Sequence, residues 1–154
     1  MQLATILQPG AVKVLSGTTS KKRLLQELAE MASQAHGMCH KRCIEALLER
    51  EALGPTGVGR GVALPHARLA GLDRVVGLFL KLEKPVDYDA VDRQPVDLVF
   101  ALLAPENSGV EHLKALAAVS RTMRDAGICA KLRANGDSSI LHTILTEQQG
   151  TKAA

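Results

Sequence analysis

The sequence predicts an α/β fold in which one mixed β-sheet is flanked by helices on both faces. Segments with helical periodicity alternate along the chain with short apolar segments typical of strands. Residues 95–105 are almost continuously apolar, which indicates a central strand covered on both sides. A length of 154 residues and a hydrophobic content of 46% suit a single core. We therefore expect one domain over residues 1–154, with its core at about 3–148 and a short polar C-terminal tail.

The first two helices are predicted early in the chain. Apolar residues recur at steps of three and four along residues 20–36, with Ser20 as the N-cap and Gly37 as the stop. A second helix is expected at about 39–52, because a Gly-Pro pair follows it directly. This boundary places Arg50 in the last turn of the second helix.

Three segments are predicted as strands. Residues 61–65 form a short strand, and residues 74–82 carry apolar side chains on both faces. The apolar segment 95–105 follows, separated from the second strand by residues with turn chemistry. The order of the strands in the sheet does not follow from these patterns.

A third helix is predicted to start near Gly109 and to stop at Gly127. Ser108 and Glu111 have the S-x-x-E spacing of a capping box, and one or two further helical pieces follow Gly127. The capping box places His112 in the first turn, where the positive helix terminus favours a neutral imidazole and a nearby anion. A partly buried structural histidine is the alternative at this position.

The composition argues against nucleic-acid binding and membrane insertion. Lys and Arg total 19 against 16 Asp and Glu, with one Tyr, two Phe and no Trp to stack on bases. No apolar segment approaches the ~18–20 residues that cross a bilayer, and no basic leader precedes the first apolar residues. We expect a cytoplasmic protein whose three cysteines are reduced thiols.

The glycine-rich stretch at 54–61 is not a nucleotide-binding loop of the Walker type. Gly54 and Gly59 have the required spacing, but Arg60-Gly61 follow where a lysine and a hydroxyl residue are needed. The stretch also follows a predicted helix, whereas a P-loop follows a strand. We expect a tight helix-to-strand connection whose small residues let another molecule approach closely.

A proline and a histidine follow this connection. Pro65 fixes its own φ and biases Leu64 to an extended conformation, so that His66 is expected at a strand exit with uncrowded surroundings.

A second group of histidines and cysteines has zinc-ligand chemistry. It comprises His36, Cys39, His40 and Cys43. Gly37 breaks the helix between them and there is no C-x-x-C pair, so we expect no metal site.

The stretch from Arg50 to His66 resembles a known family, the mannitol/fructose/nitrogen type of enzyme IIA (EIIA type 2) of bacterial phosphotransferase systems. The matching residues are Arg50, Glu51, Gly54, Thr56, Gly57, Val58, Gly59, Gly61, Ala63, Leu64, Pro65 and His66. Residues 84–106 look like the family's central strand pair, and 111–125 look like its helix with a second active-site histidine. The resemblance extends from about residue 3 to 148.

The resemblance implies the phosphotransferase/anion-transport-protein-like fold and a phosphocarrier function. His66 would accept a phosphoryl group from a phosphohistidine on an HPr-like protein, with His112 as hydrogen-bond donor and Arg50 as the stabilising cation. No metal or other cofactor is implied, and the protein would not turn over a substrate on its own. The implied phosphate or partner loop comprises Gly54, Thr56, Gly57, Gly59 and Gly61.

Two positions depart from the family pattern. Pro55 stands where serine is usual, which leaves Thr56 and backbone N–H groups for phosphate. Arg60 stands where an uncharged residue is common, and we expect it to add positive charge beside the site.

The resemblance is strongest to the nitrogen-related branch, whose phosphorylation state regulates targets such as potassium transporters or sensor kinases. One alternative is a soluble fructose- or mannitol-specific EIIA that passes phosphate to a IIB domain. Another is a regulatory binding domain without transfer, against which the joint presence of His66, Arg50 and His112 argues.

Overall fold

One mixed β-sheet lies at the centre of the fold. The computed structural model describes residues 1–17 and 19–153, with 148–153 described by their backbone, and within these ranges six strands form the sheet. The strands are β1 (Val12–Leu15), β2 (Gly57–Gly59), β3 (Val62–Ala63), β4 (His66–Leu69), β5 (Val76–Val86) and β6 (Val96–Pro105).

Five α-helices flank the sheet on both faces within the same described ranges. They are α1 (Lys21–His36), α2 (His40–Ala52), α3 (Val110–Met123), α4 (Ala126–Arg133) and α5 (Ser138–Ala153). Helix α1 packs against α2 and β5, and α2 packs against β4. Helix α3 contacts β6 and α4, while α5 contacts β1 and α4. The predicted fold class is confirmed.

Strands β5 and β6 form the long antiparallel centre of the sheet. Their register runs from Val76 opposite Leu103 to Val86 opposite Val96. Strand β1 lies parallel to β5, strands β3 and β4 lie parallel to β6, and β2 pairs antiparallel with β3 at the edge. The aromatic rings of Phe79 and Phe100 meet edge to face across the central pair, with centroids 6.0 Å apart.

Strands β3 and β4 form one interrupted line along β6. Their registers share the same offset, but the dipeptide Leu64-Pro65 separates them. Pro65 has no N–H to donate to the ladder, while its carbonyl accepts a hydrogen bond from Leu102 N at 2.9 Å. The expected strand exit is therefore wrong in detail, because His66 begins β4 instead of following the last strand residue.

The predicted boundaries of α1 and α2 are confirmed. Ser20 Oγ accepts a hydrogen bond from Arg23 N at 3.2 Å, and Gly37 ends α1 with a left-handed φ of 67°. Arg50 lies in the last turn of α2. None of the helices within the described residues is long and apolar enough to span a membrane.

The capping box predicted for α3 is wrong. The Ser108 hydroxyl donates to the carbonyl of Pro105 at 3.0 Å, and the Ser108 N–H donates to the same carbonyl at 3.1 Å. Gly109 is the N-cap and provides no side-chain cap. His112 nevertheless lies in the first turn, because the helix starts at Val110.

The predicted end of α3 at Gly127 is also wrong. The Asp125 carboxylate accepts hydrogen bonds from the N–H groups of Gly127 at 2.9 Å and Ile128 at 3.1 Å. This N-cap starts α4 and leaves α3 to end at Met123. The expected polar tail continues helix α5 to Ala153.

Candidate functional site

The three predicted catalytic side chains converge on one surface depression. Arg50 comes from the end of α2, His66 from the start of β4 and His112 from the first turn of α3. The depression has a volume of about 460 Å³. Its lining residues are Ala46, Glu49, Arg50, Leu53, His66, Ala67, Arg68, His112, Leu113 and Leu116.

The His66 ring is held in one tautomer by a backbone contact. Its Nδ1 lies 2.9 Å from the carbonyl oxygen of Leu64. Because a carbonyl oxygen only accepts hydrogen bonds, the ring hydrogen of neutral His66 resides on Nδ1. Its Nε2 then presents a lone pair, which accepts a hydrogen bond from Arg50 Nε at 3.3 Å. A neutral imidazole of this tautomer is a nucleophile at Nε2.

The Arg50 guanidinium is oriented by hydrogen bonds on both sides. Its Nη1 donates to the carbonyl of Gly54 at 2.9 Å, while its Nε donates to His66. Among the described residues, no ion pair joins Arg50 to Glu49 or Glu51. The guanidinium charge is therefore available to an anion at His66.

The His112 ring lies against His66, as predicted from the resemblance. The ring centroids are 5.6 Å apart and the ring planes are inclined at 55°. His112 is 6% exposed, and among the described residues its Nδ1 is one of two buried side-chain polar atoms without a hydrogen-bond partner. Burial, followed by the neighbouring His66 and Arg68, holds the pKa of His112 below its ordinary value of 6.5. The ring is therefore neutral at pH 7.

The glycines predicted as a phosphate or partner loop lie mostly at the sheet edge. A Cβ on Gly57 would lie 2.6 Å from the Cβ of Ala90, and Gly59 has a left-handed φ of 103°. A Cβ on Gly61 would lie 2.6 Å from Arg133 Nη2. These three glycines allow the β2–β3 edge to form and do not line the depression.

Gly54 and Thr56 are connected to the site indirectly. The carbonyl of Gly54 accepts the hydrogen bond from Arg50. Thr56 is 3% exposed, and its hydroxyl donates to Glu51 and lies 3.0 Å from the hydroxyl of Tyr88. The Thr56 hydroxyl is thus already engaged inside the protein.

Arg60 does not line the depression, and the positive charge that it was expected to add beside the site stays a prediction. Its N–H donates to Asp92 Oδ2 at 2.9 Å and its carbonyl accepts from Arg133 at 2.8 Å, in the turn between β2 and β3. Arg68 lines the depression instead. Since alternate strand residues share one face, its position two residues after His66 was a usable signal that the sequence analysis missed.

Exposed apolar residues at the rim were also missed. Leu53 is 82% exposed and Leu113 is 63% exposed, and both line the depression with the half-buried Leu116. Leu113 follows His112 directly in sequence. Leu53 likewise directly precedes the candidate site residue Gly54, so both rim leucines are sequence neighbours of predicted site residues.

Comparison with known proteins identifies the family. Residues 5–148 match the family model described as phosphoenolpyruvate-dependent sugar phosphotransferase system, EIIA 2. The chain belongs to this EIIA family. A nitrogen regulatory protein from Bradyrhizobium diazoefficiens is 44% identical over 153 residues, which cover 99% of this EIIA chain and 100% of that protein. A nitrogen regulatory protein from Escherichia coli K12 is 39% identical over 152 residues, which cover 98% of this chain and 93% of that protein.

Solved structures agree with this assignment. The crystal structure of nitrogen regulatory protein IIA-Ntr from Neisseria meningitidis has a TM-score of 0.84 and 37% identity to this EIIA protein, covering 92% of this chain and 97% of that one. The crystal structure of IIA mannitol from Escherichia coli, at 19% identity and a TM-score of 0.71 over 88% of this chain and 96% of that one, shares the fold. The resemblance to the nitrogen-type EIIA proteins is confirmed.

The lowered pKa of His112 predicts a defined pH dependence of stability. The unfolded chain binds a proton at this ring at a higher pH than the folded protein does. The stability contribution is therefore complete above pH 6.5 and is lost as the pH falls through the folded pKa. In urea unfolding between about pH 8 and about pH 5, His112→Gln should lose less stability on acidification than wild type.

His40→Gln is the matched control, because His40 is exposed at the start of α2. It should show the wild-type loss. An equal acid-induced loss in wild type and His112→Gln would contradict the assignment.

Proposed function

We propose that this EIIA protein is a phosphocarrier in which His66 Nε2 accepts a phosphoryl group from a phosphohistidine on an HPr-like protein. The observation that carries the proposal is the hydrogen bond from His66 Nδ1 to the Leu64 carbonyl at 2.9 Å. It leaves the Nε2 lone pair directed into an open depression that also holds Arg50 and Arg68. In this proposal the protein and its HPr-like donor are both in the cytoplasm.

The transfer step balances without a further co-reactant. The Nε2 lone pair of His66 forms the new N–P bond while the N–P bond of the donor breaks. The electron pair of the broken bond returns to the donor imidazole, which leaves as a neutral ring because its other nitrogen carries a proton. His66 then holds phosphoryl on Nε2 and a proton on Nδ1, and the Leu64 carbonyl stabilises the resulting positive ring.

Arg50 stabilises the transferred group in this proposal. Its Nε donates to the His66 Nε2 lone pair before transfer and must release it when phosphorus approaches. The guanidinium then donates to the phosphoryl oxygens, with Nη1 still held by Gly54. Charge-assisted hydrogen bonds of this kind are about twice as strong as neutral ones.

His112 provides a second hydrogen-bond donor. Its neutral ring lies within contact of His66, and its Nδ1 is buried without a partner. In this proposal the other ring nitrogen, Nε2, carries the hydrogen and donates it to a phosphoryl oxygen. Arg68 adds a cation on the same face of β4.

The rim of the depression favours a protein as the phosphoryl donor. Leu53 and Leu113 expose large apolar surfaces beside the cationic residues. An HPr-like protein that brings its own histidine to His66 would cover these side chains, and burial of apolar surface is the main favourable term in protein association.

We further propose that the phosphorylation state of this EIIA protein regulates target proteins, a potassium transporter or a sensor kinase being the candidates. The names of the similar proteins, nitrogen regulatory proteins from several bacteria, favour this output. By analogy with other phosphoresidues, phosphorylation changes the charge of the depression by about −1.5 to −2, and this change is the signal that partners would detect in the proposal. Rapid transfer from the phosphorylated chain to a IIB cysteine would favour the sugar-specific alternative.

His66→Ala tests the acceptor directly. After incubation with a phosphorylated HPr-like donor, wild type should take up phosphate that is acid-labile and base-stable, as phosphohistidine is, and His66→Ala should not. His40→Ala, at an exposed position outside the depression, should behave as wild type. Labile phosphate in His66→Ala would overturn the proposal.

His112→Ala should slow phosphorylation without abolishing it. Loss of one preorganised donor costs about 3–4 kcal/mol in other enzymes, roughly a hundred- to thousand-fold in rate. His112→Gln retains an N–H donor and should recover part of the loss. Single-turnover kinetics measure the phosphorylation rates of both variants. Equal rates for wild type and His112→Ala would show that His112 only packs against its neighbours and does not assist transfer.

A further inference from the structure

Glu51, the sequence neighbour of Arg50, lies in a polar network behind the depression. We propose that Glu51 is a positioning residue for phosphoryl transfer, which holds the connection at residues 54–56 so that Arg50 faces His66. This inference rests on the proposed function. Glu51 does not line the depression, so its effect on His66 has to pass through Arg50.

The Glu51 carboxylate is buried and surrounded by donors. Its side chain is 6% exposed. It accepts hydrogen bonds from Thr56 N at 3.3 Å, from the Thr56 hydroxyl and from the Tyr88 hydroxyl at 3.1 Å. Lys21 Nζ lies 2.9 Å from Oε2 and compensates the negative charge. A carboxylate with this many donors is strongly fixed in place.

Tyr88 and Lys21 connect this network to other parts of the fold. Tyr88 is fully buried, and burial raises the pKa of its hydroxyl far above the ordinary value, so it remains a donor to Glu51. Lys21, at the first position of α1, also lies 4.6 Å from the centroid of the Tyr88 ring. The network thus ties the start of α1 and the segment after β5 to the end of α2.

The connection at residues 54–56 joins this network to the depression. At one end of this connection, Thr56 donates two hydrogen bonds to the Glu51 carboxylate. At the other end, the carbonyl of Gly54 accepts the hydrogen bond from Arg50 Nη1. Arg50 and Glu51 are consecutive helix residues and project about 100° apart, so one reaches the depression and the other the buried network. Loss of the Glu51 carboxylate removes its two contacts with Thr56, which keeps only the hydrogen bond from Leu64 N to its carbonyl and the contact of its hydroxyl with Tyr88. In this proposal the loosened connection lets the Gly54 carbonyl shift and so weakens one of the two contacts that orient Arg50.

Because Glu51 acts on His66 only through Arg50 in this proposal, substitutions of Glu51 and Arg50 should have coupled effects on the rate of phosphoryl transfer. Glu51→Gln keeps the shape and one acceptor oxygen but removes the charge. Its single-turnover transfer rate should fall roughly tenfold in an otherwise wild-type chain and should not change in an Arg50→Ala chain. Glu45→Gln, an exposed change on the same helix, should leave both rates unaltered.

Equal proportional slowing by Glu51→Gln in both backgrounds would overturn the inference, because a general loss of stability acts without Arg50. If Glu51→Gln does not fold, Tyr88→Phe replaces it in the same comparison, since it removes one donor to the carboxylate and keeps the ring. Additive effects of Tyr88→Phe and Arg50→Ala would then overturn the inference.

A second readout does not depend on transfer. In NMR spectra of the protein with labelled arginine side chains, the Nε signal of Arg50 should shift in Glu51→Gln and remain unchanged in Glu45→Gln. An unchanged Arg50 signal in Glu51→Gln overturns the positioning role. Failure of wild type to accept phosphate at His66, with the Arg50 shift present, would overturn the proposed function alone.

Discussion

The hydrogen bond between His66 Nδ1 and the Leu64 carbonyl is the contact on which the site depends. It assigns the ring hydrogen to Nδ1 and leaves the lone pair on Nε2, the nitrogen that we propose accepts the phosphoryl group. Leu64 lies between β3 and β4, where its N–H donates to the Thr56 carbonyl at 2.9 Å and its own carbonyl accepts from the ring two residues later. A backbone feature of the sheet thereby sets the chemistry of a side chain.

The rest of the site is arranged around the nitrogen that this contact exposes. Arg50 donates to it from the last turn of α2, and the His112 ring lies beside the His66 ring from the first turn of α3, a helix far from α2 in sequence. The cationic and neutral donors suit a group that arrives with negative charge, once Arg50 Nε has released the lone pair of His66 Nε2. The Glu51 network behind Arg50 supplies a buried countercharge to Lys21 without neutralising the guanidinium itself.

The long elements were predictable and the local details were not. Helices α1 and α2 and strands β5 and β6 have patterns long enough to identify, whereas β1, β2 and β4 have at most four residues each. The capping box failed because Ser108 bonds to Pro105, which only the turn geometry reveals. The role of Gly57 depends on Ala90, a contact distant in sequence. The meeting of His66 and His112 was predicted from the capping box, from the position of His112 in the first turn of α3 and from the family resemblance, and the capping box was wrong.

Nitrogen NMR of isotope-labelled histidine, before and after phosphorylation, tests the central claim most directly. The chemical shifts of the two ring nitrogens report the tautomer, and coupling to phosphorus reports the site of attachment. We expect His66 to carry its hydrogen on Nδ1 in the free protein and phosphorus on Nε2 after incubation with the donor. Phosphorus on Nδ1, or a free ring with its hydrogen on Nε2, would contradict the role of the Leu64 carbonyl.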